Sequence, residues 1–222
     1  MRLEKEKPLK RSIPTCVLGL MLATTGLGLT VAPTHAIPDI GEEQPPNLVC
    51  DGSYTGQTFK NVRVRPGDTC VLKDSTVTGN LMARHPRTVK VIDTEVRRNL
   101  KIRGATRDVK IGNAGCKLDP VVGNNIQIRE SHNVLICYMT TKNSISITGS
   151  DGRISLFHNN AGRHLAVSRN DAYDRDPGVK HQNPGAIRLR HNTAGGHTRL
   201  ADNDPSRDLL GLALNSPTPE VN

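Results

Sequence analysis

Cys70-Val71-Leu72-Lys73-Asp74-Ser75-Thr76-Val77-Thr78-Gly79-Asn80-Leu81 decides the fold. It opens with a period-two pair, Cys70-x-Leu72. A lone apolar residue, Val77, follows, then the turn pair Gly79-Asn80, and a new period-two pair begins at Leu81-x-Ala83. Period-two alternation puts side chains on opposite faces of a strand. Three short strands and their turns therefore fit within about 19 residues.

The same order recurs along the chain. Val62-x-Val64, Leu81-x-Ala83, Leu100-x-Ile102, Ile126-x-Ile128, Ile145-x-Ile147 and Leu165-x-Val167 begin at steps of 19, 19, 26, 19 and 20 residues. A second track runs Cys70-x-Leu72, Val89-x-Val91, Val109-x-Ile111, Val134-x-Ile136 and Ile154-x-Leu156. A third is Val77, Val96, Val122, Thr141 and Ala161, followed by Gly79-Asn80, Arg98-Asn99, Gly123-Asn124, Lys142-Asn143 and Gly162-Arg163. No helix of ordinary length fits inside such a unit, and an antiparallel sandwich does not require identical phase in each repeat. The pattern predicts an all-β fold, a single-stranded right-handed parallel β-helix of six to seven coils of 19–20 residues. The 26-residue step is one coil plus a loop around Gly112 to Pro120.

Faces follow from the period. The first and third residue of each pair point into the lumen. Met82, Lys90, Lys101, Lys110 and Gln127 point outward. Asn80, Asn99 and Asn124 are expected to stack as an amide ladder at one corner, each amide satisfied along the axis.

Around this repeat the chain divides into a signal peptide (1–36), an unfolded lead-in (37–48), the β-helix (49–167), an irregular final coil with polar loops (168–201) and a tail or cap (202–222). Lys5, Lys7, Lys10 and Arg11 precede a nearly uncharged run from Cys16 to Val31, which ends at Thr34-His35-Ala36. That three-part layout is a secretory signal cleaved after Ala36. The run is short for a membrane span and is broken by Gly26, Gly28 and Pro33, so no stable membrane insertion is expected after cleavage. Cys16 precedes the apolar run and is badly placed for lipidation. Ile187-x-Leu189 supplies the final coil, and Leu209, Leu210, Leu212 and Leu214 either cap the lumen or form a short terminal helix.

The formal net charge is +9, of which the segment 1–36 carries five basic and two acidic residues. The remainder is moderately basic. Beyond residue 36 stand Cys50, Cys70, Cys116 and Cys137, an even number that in an exported chain points to disulfides. Cys50 and Cys70 are 20 apart, Cys116 and Cys137 are 21 apart. Coil neighbours lie about 4.8 Å apart, inside the Cα range of a disulfide. The spacing therefore predicts Cys50–Cys70 and Cys116–Cys137.

Aromatic residues are few: no Trp, two Phe and three Tyr. Stacking surfaces for single-stranded nucleic acid use such rings, so nucleic acid is not an expected partner, and stacked polysaccharide grooves are disfavoured for the same reason. Chemistry is thinly represented. Asp93, Glu95, Asp108 and Glu130 are scattered near turns or strand ends. Asp171, Asp174 and Asp176 are close in sequence but lack the spacing and Gly of a calcium loop. The histidines His85, His132, His158, His164, His181, His191 and His197 form no zinc motif, and their plain reading is exposed turn residues, with His158 and His164 flanking one turn. No residue set points to catalysis, a cofactor or a metal. The most regular polar feature is basic. Arg84, Arg103 and Arg129 share one phase in three consecutive coils, and Lys90 and Lys110 align on another face. Stacked like charges repel, so they are relieved by interleaved acids (Asp93, Asp108, Glu130) or by a polyanion such as a cell-wall polymer or polysaccharide.

Cys70 to Leu81 and Val121-Val122-Gly123-Asn124-Asn125-Ile126-Gln127-Ile128 resemble the small secreted right-handed parallel β-helix proteins of actinobacteria. Their unit reads roughly Thr-Val-x-Gly-Asn-Val, with paired cysteines near the ends. The resemblance covers about residues 50–167 and departs at Arg98-Asn99, Lys142-Asn143, Gly162-Arg163 and the polar C-terminal part. It implies an extracellular protein and carries over no catalytic residue. A more distant likeness to bactofilin-like β-helices implies self-association. The expectation is a secreted, non-enzymatic structural or surface-interaction protein, the alternative a carbohydrate-active enzyme or glycan-binding module on the same scaffold.

Overall fold

The computed structural model describes residues 44–113, 115, 120–171, 187–203 and 220–221. The expected signal segment, most of the lead-in, Cys116, Asp174, Asp176, His181 and the leucines from Leu209 to Leu214 lie outside them.

The chain winds into a parallel β-helix of three sheets. Sheet A stacks Leu48–Val49, Val62–Val64, Leu81–Arg84, Leu100–Arg103, Ile126–Arg129, Ile145–Thr148, Leu165–Ser168 and Thr198–Ala201, with Glu220–Val221 added at the end. Sheet B stacks Ser53–Thr55, Thr69–Lys73, Thr88–Ile92, Val109–Gly112, His132–Cys137, Asp151–Phe157 and Ile187–Arg190. Sheet C stacks seven two-residue strands: Thr58–Phe59, Thr76–Val77, Glu95–Val96, Val121–Val122, Thr140–Thr141, Asn160–Ala161 and Thr193–Ala194. One strand from each sheet makes a coil, so there are seven coils before sheet A continues.

The three predicted tracks are the three inner ladders. Val62, Leu81, Leu100, Ile126, Ile145 and Leu165 are direct partners on sheet A. Each is no more than 1% exposed. A coil buries little alone, so stability comes from neighbour on neighbour. The loop insertion falls where the 26-residue step places it, between Gly112 and Val121. Gly112 stands in register between Ile92 and Cys137. It has φ +132°, and a Cβ there would fall on the Cys137 carbonyl, so only glycine fits.

Three expectations change. First, the lead-in ends earlier than residue 48: Lys60 N–H donates to Pro46 O and Leu48 N–H donates to Asn61 O. Second, the repeat stays regular beyond Val167. Ile187 and Leu189 pair in register with Ile154 and Leu156, and Thr198 and Leu200 with Leu165 and Val167. The final coil is one coil plus an insertion, not an irregular one. Third, Asn124 is not a rung of the amide ladder. The ladder runs Asn47, Asn61, Asn80, Asn99 and Asn125: Asn61 Nδ2 donates to Asn47, Asn99 Nδ2 to Asn80 and Asn125 Nδ2 to Asn99. Asn125 immediately precedes its inward strand, as Asn80 and Asn99 precede theirs. Asn124 sits one residue too early, and its backbone N–H meets Arg98 O instead.

The other two corners carry ladders of their own, and these are internal. At the corner from sheet A to sheet B a residue with positive φ (His85, Gly104, Glu130, Gly149, Arg169, Asp202) turns the chain inward. The next residue then points its side chain into the coil stack. Ser131, Ser150 and Asn170 are each no more than 1% exposed. Ala105 N–H donates to Ser131 Oγ, Ser131 N–H to Ser150 Oγ, Ser150 N–H to Asn170 Oδ1 and Asn170 N–H to Asn203 Oδ1. From sheet B to sheet C, Asp74, Asp93, Tyr138, His158 and His191 take the left-handed conformation. There Ser75 N–H donates to Thr94 Oγ1, Met139 N–H to Asn159 Oδ1 and Asn159 N–H to Asn192 Oδ1. Corner amides have no sheet partner, and a buried unpaired N–H is costly. The side chain one coil on supplies the acceptor.

Cys50 and Cys70 form the predicted disulfide, with Cα atoms 5.4 Å apart. Cys137 is also disulfide-bonded. The N-terminal end of the lumen is filled by rings: Tyr54 and Phe59 meet edge to face at 5.8 Å, and Phe59 is buried.

Among the described residues two inner positions, Thr141 and Thr198, carry a buried hydroxyl with no hydrogen-bond partner. Thr141 lies between Val122 and Ala161 on sheet C, and its buried Oγ1 has no hydrogen-bond partner. Thr141→Val removes that unpaired hydroxyl at nearly constant shape. It is expected to stabilise the fold by about 1 kcal/mol, about 3 °C in Tm, read by thermal unfolding; an unchanged or lower Tm would count against a dry, unpaired hydroxyl.

Candidate functional site

The outer surface of sheet A is the most strongly patterned polar surface among the described residues. Each four-residue strand alternates in, out, in, out, so it presents two outward columns. One column runs Val49, Arg63, Met82, Lys101, Gln127, Ser146, Ala166 and Arg199. The other runs Arg84, Arg103, Arg129, Thr148 and Ser168. The expected column of three arginines in consecutive coils is thus present, and the neighbouring column adds Arg63 and Lys101. No Asp or Glu occupies an outward position of these strands from Leu48 to Ala201.

Lys90 and Lys110 are also register partners, flanked by Val71 and Leu135. They stand on sheet B. The five candidate residues therefore make two separate basic faces, of which sheet A is the larger.

Of the interleaved acids, Glu130 neutralises one of the arginines. Glu130, at the corner after Arg129, takes a bidentate pair from Arg103, Nε to Oε2 at 2.9 Å and Nη2 to Oε1 at 3.1 Å. That hydrogen bond holds the Glu130 carboxyl below the usual carboxylate range. The direction is opposite to what a general acid requires. Asp108 accepts instead from Asn133 Nδ2 at 3.4 Å. Among the described residues Arg63, Arg84, Lys101 and Arg129 form no ion pair. An open groove of about 500 Å³ marks the N-terminal end of the face, where exposed Val49 and Met82 lie beside Arg63 and Arg84.

The acidic candidates among the described residues do not assemble into one site. Asp93 and Asp108 flank different corners, and Glu95 pairs with Arg97 at 3.3 Å. Asp171 forms a parallel bridge with Asp151, which is 3.2 Å from His132 Nδ1. Among the described residues no group of three or more His, Cys, Asp and Glu is arranged to hold a metal ion.

Two features escaped sequence reasoning. The internal Ser, Thr and Asn ladders look like ordinary turn residues until the left-handed corner aims them inward. The histidines also form rows. Tyr138, His158 and His191 stack in three consecutive coils, with ring centroids 4.5 and 4.6 Å apart. His164 and His197 stack at 5.7 Å on the next corner. The signal was present as a repeated heptad: His158-Asn159-Asn160-Ala161-Gly162-Arg163-His164 and His191-Asn192-Thr193-Ala194-Gly195-Gly196-His197.

Fold and surface together define a disulfide-stapled parallel β-helix with its larger basic face on sheet A. No family model, curated protein or solved structure matches the chain. Among the described residues no helix is long and apolar enough to cross a membrane.

Proposed function

We propose that this is an exported, non-enzymatic binding scaffold whose sheet A holds an extended anionic polymer, such as an acidic cell-wall polymer or polysaccharide. The observation that carries this reading is the in-register column Arg84, Arg103 and Arg129 beside Arg63 and Lys101, on strands with no outward acid. Coils repeat at about 4.8 Å, so a linear polyanion lying along the axis meets one or two cations per coil. The neutral positions Ser146, Thr148, Ala166 and Ser168 end the track. A Cys50–Cys70 disulfide agrees with an oxidising location.

The test is binding to immobilised dextran sulfate, with uncharged dextran as control and salt varied. Arg84→Ser/Arg103→Ser/Arg129→Ser is expected to weaken binding about tenfold at low salt and to flatten the salt dependence, because fewer counterions are released. Lys90→Ser/Lys110→Ser changes it by less than about threefold, since that pair lies on another sheet. Salt-independent absence of binding by the parent chain would sink the proposal. Glu130→Gln frees Arg103 and is expected to raise affinity about threefold. Acid acts in the same direction. A carboxyl held low in the fold stays paired above its unfolded value, and the pair is lost as pH falls through the folded one. Affinity of the parent chain therefore rises below the usual carboxylate range, and that of Glu130→Gln does so less.

A further inference from the structure

We propose that His158 and His191 form a surface chelate for a divalent transition metal ion, Cu²⁺ above Ni²⁺ and Zn²⁺. Both residues occupy the left-handed position at the corner from sheet B to sheet C, with φ 53° and 52°. The following strands are in register, Asn160 with Thr193 and Ala161 with Ala194. The backbone therefore holds the two side chains one coil apart, and their rings lie 4.6 Å apart at 17°. Both residues are exposed, and among the described residues no ring nitrogen of either makes a hydrogen bond. Rotation about the imidazole χ2 is soft, so the free nitrogen edges can tilt onto one ion without moving the backbone.

The second pair shows why the first is the site. His164 and His197 are equally parallel, at 5°, but wider apart at 5.7 Å. The His197 backbone N–H donates to His164 Nδ1 at 3.3 Å. That bond occupies one ring nitrogen's lone pair, and freeing the other lone pair for a metal would move the proton onto Nδ1 and break it. His158 and His191 have no such competitor. Imidazole suits Cu²⁺, Ni²⁺ and Zn²⁺, and for a given nitrogen site Cu²⁺ binds most tightly. With no third His, Cys, Asp or Glu in reach among the described residues, water fills the remaining positions. The ion is exchangeable and open to a ligand from a partner.

The full chain in a non-chelating buffer, titrated with CuCl₂, tests this by calorimetry and by electron paramagnetic resonance. The proposal expects a site whose signal shows coordination by two imidazole nitrogens and weakens as acid protonates the ligands. Tyr138 stacks on His158 at 4.5 Å, so its emission is quenched on binding. His158→Phe keeps the ring stack and removes the nitrogens. It and His191→Gln are each expected to lose at least about tenfold in affinity, with the β-sheet circular dichroism of the parent. His164→Gln and His197→Gln leave affinity within about twofold. Unchanged affinity in His158→Phe and His191→Gln would overturn the assignment, as would equal losses in all four variants. Binding to dextran sulfate plays no part in the readout, so failure here is separate from failure of the polyanion reading.

Discussion

Asn159→Ala is expected to destabilise the fold by about 3 kcal/mol, whereas Asn160→Ala, one residue along, costs no more than about 0.5 kcal/mol. Asn159 is 2% exposed. Its Oδ1 accepts from Met139 N–H, and its Nδ2 donates to Ile136 O and to Asn192 Oδ1. Alanine leaves the Met139 N–H without its acceptor in a dry interior, at about 1–3 kcal/mol, and takes one of two donors from Asn192 Oδ1, which keeps the Asn159 backbone N–H. Asn160 faces outward, and its one side-chain bond is to Thr193 Oγ1 at the surface, where water replaces it. The comparison holds residue type and coil constant and changes only the face. It is read from urea midpoints at equal m-value. Equal costs at the two positions would remove the internal ladder from the account of stability.

Removing the Cys50–Cys70 bond by Cys50→Ala/Cys70→Ala is expected to cost about 3 kcal/mol, the entropy of closing a loop of this length. The bridged residues are 20 apart in sequence. Domains of ordinary stability hold about 5–15 kcal/mol, so this one bond is a large share. The loss is local in origin. The bond joins the first coil to the second where Tyr54 and Phe59 fill the lumen end, and among the described residues the first coil has a neighbouring coil on one side only. Amide exchange is therefore expected to accelerate first in residues 48–64 and later in the middle coils. The double variant is the right test because reductant would also open the disulfide of Cys137. A uniform loss of protection along the stack, or no shift in the unfolding midpoint, would refute the terminal-staple account.

The basic face and the histidine rows rest on one geometric fact. Each coil repeats the last at a fixed spacing, so whatever a position carries becomes a column. On sheet A that makes Arg84, Arg103 and Arg129 a linear array. At the corner from sheet B to sheet C it makes Tyr138, His158 and His191 a stack of rings. Residues that are unremarkable singly thereby acquire a common axis, the property an extended ligand or a chelated ion reads.

Sequence alone determined the period, the inward and outward positions, the site of the loop near residue 115 and the Cys50–Cys70 pair. Each follows from strand geometry repeated at constant length, and a constant repeat is visible without coordinates. Tertiary structure decided the rest. The coil containing Ile187 read as irregular because its step from Ile154 is 33 residues, yet parallel pairing restores the register across the insertion. Asn125 displaced Asn124 because the ladder position is the one next to the inward strand. Ser131, Asn159 and Asn170 face inward because a left-handed residue precedes each of them and swings the chain at the corner, an effect no spacing rule records. Whether His158 and His191 have free nitrogens, and His164 does not, depends on a single backbone hydrogen bond between coils. Composition and period name the residues of a column, and only the packed coils settle what each side chain touches.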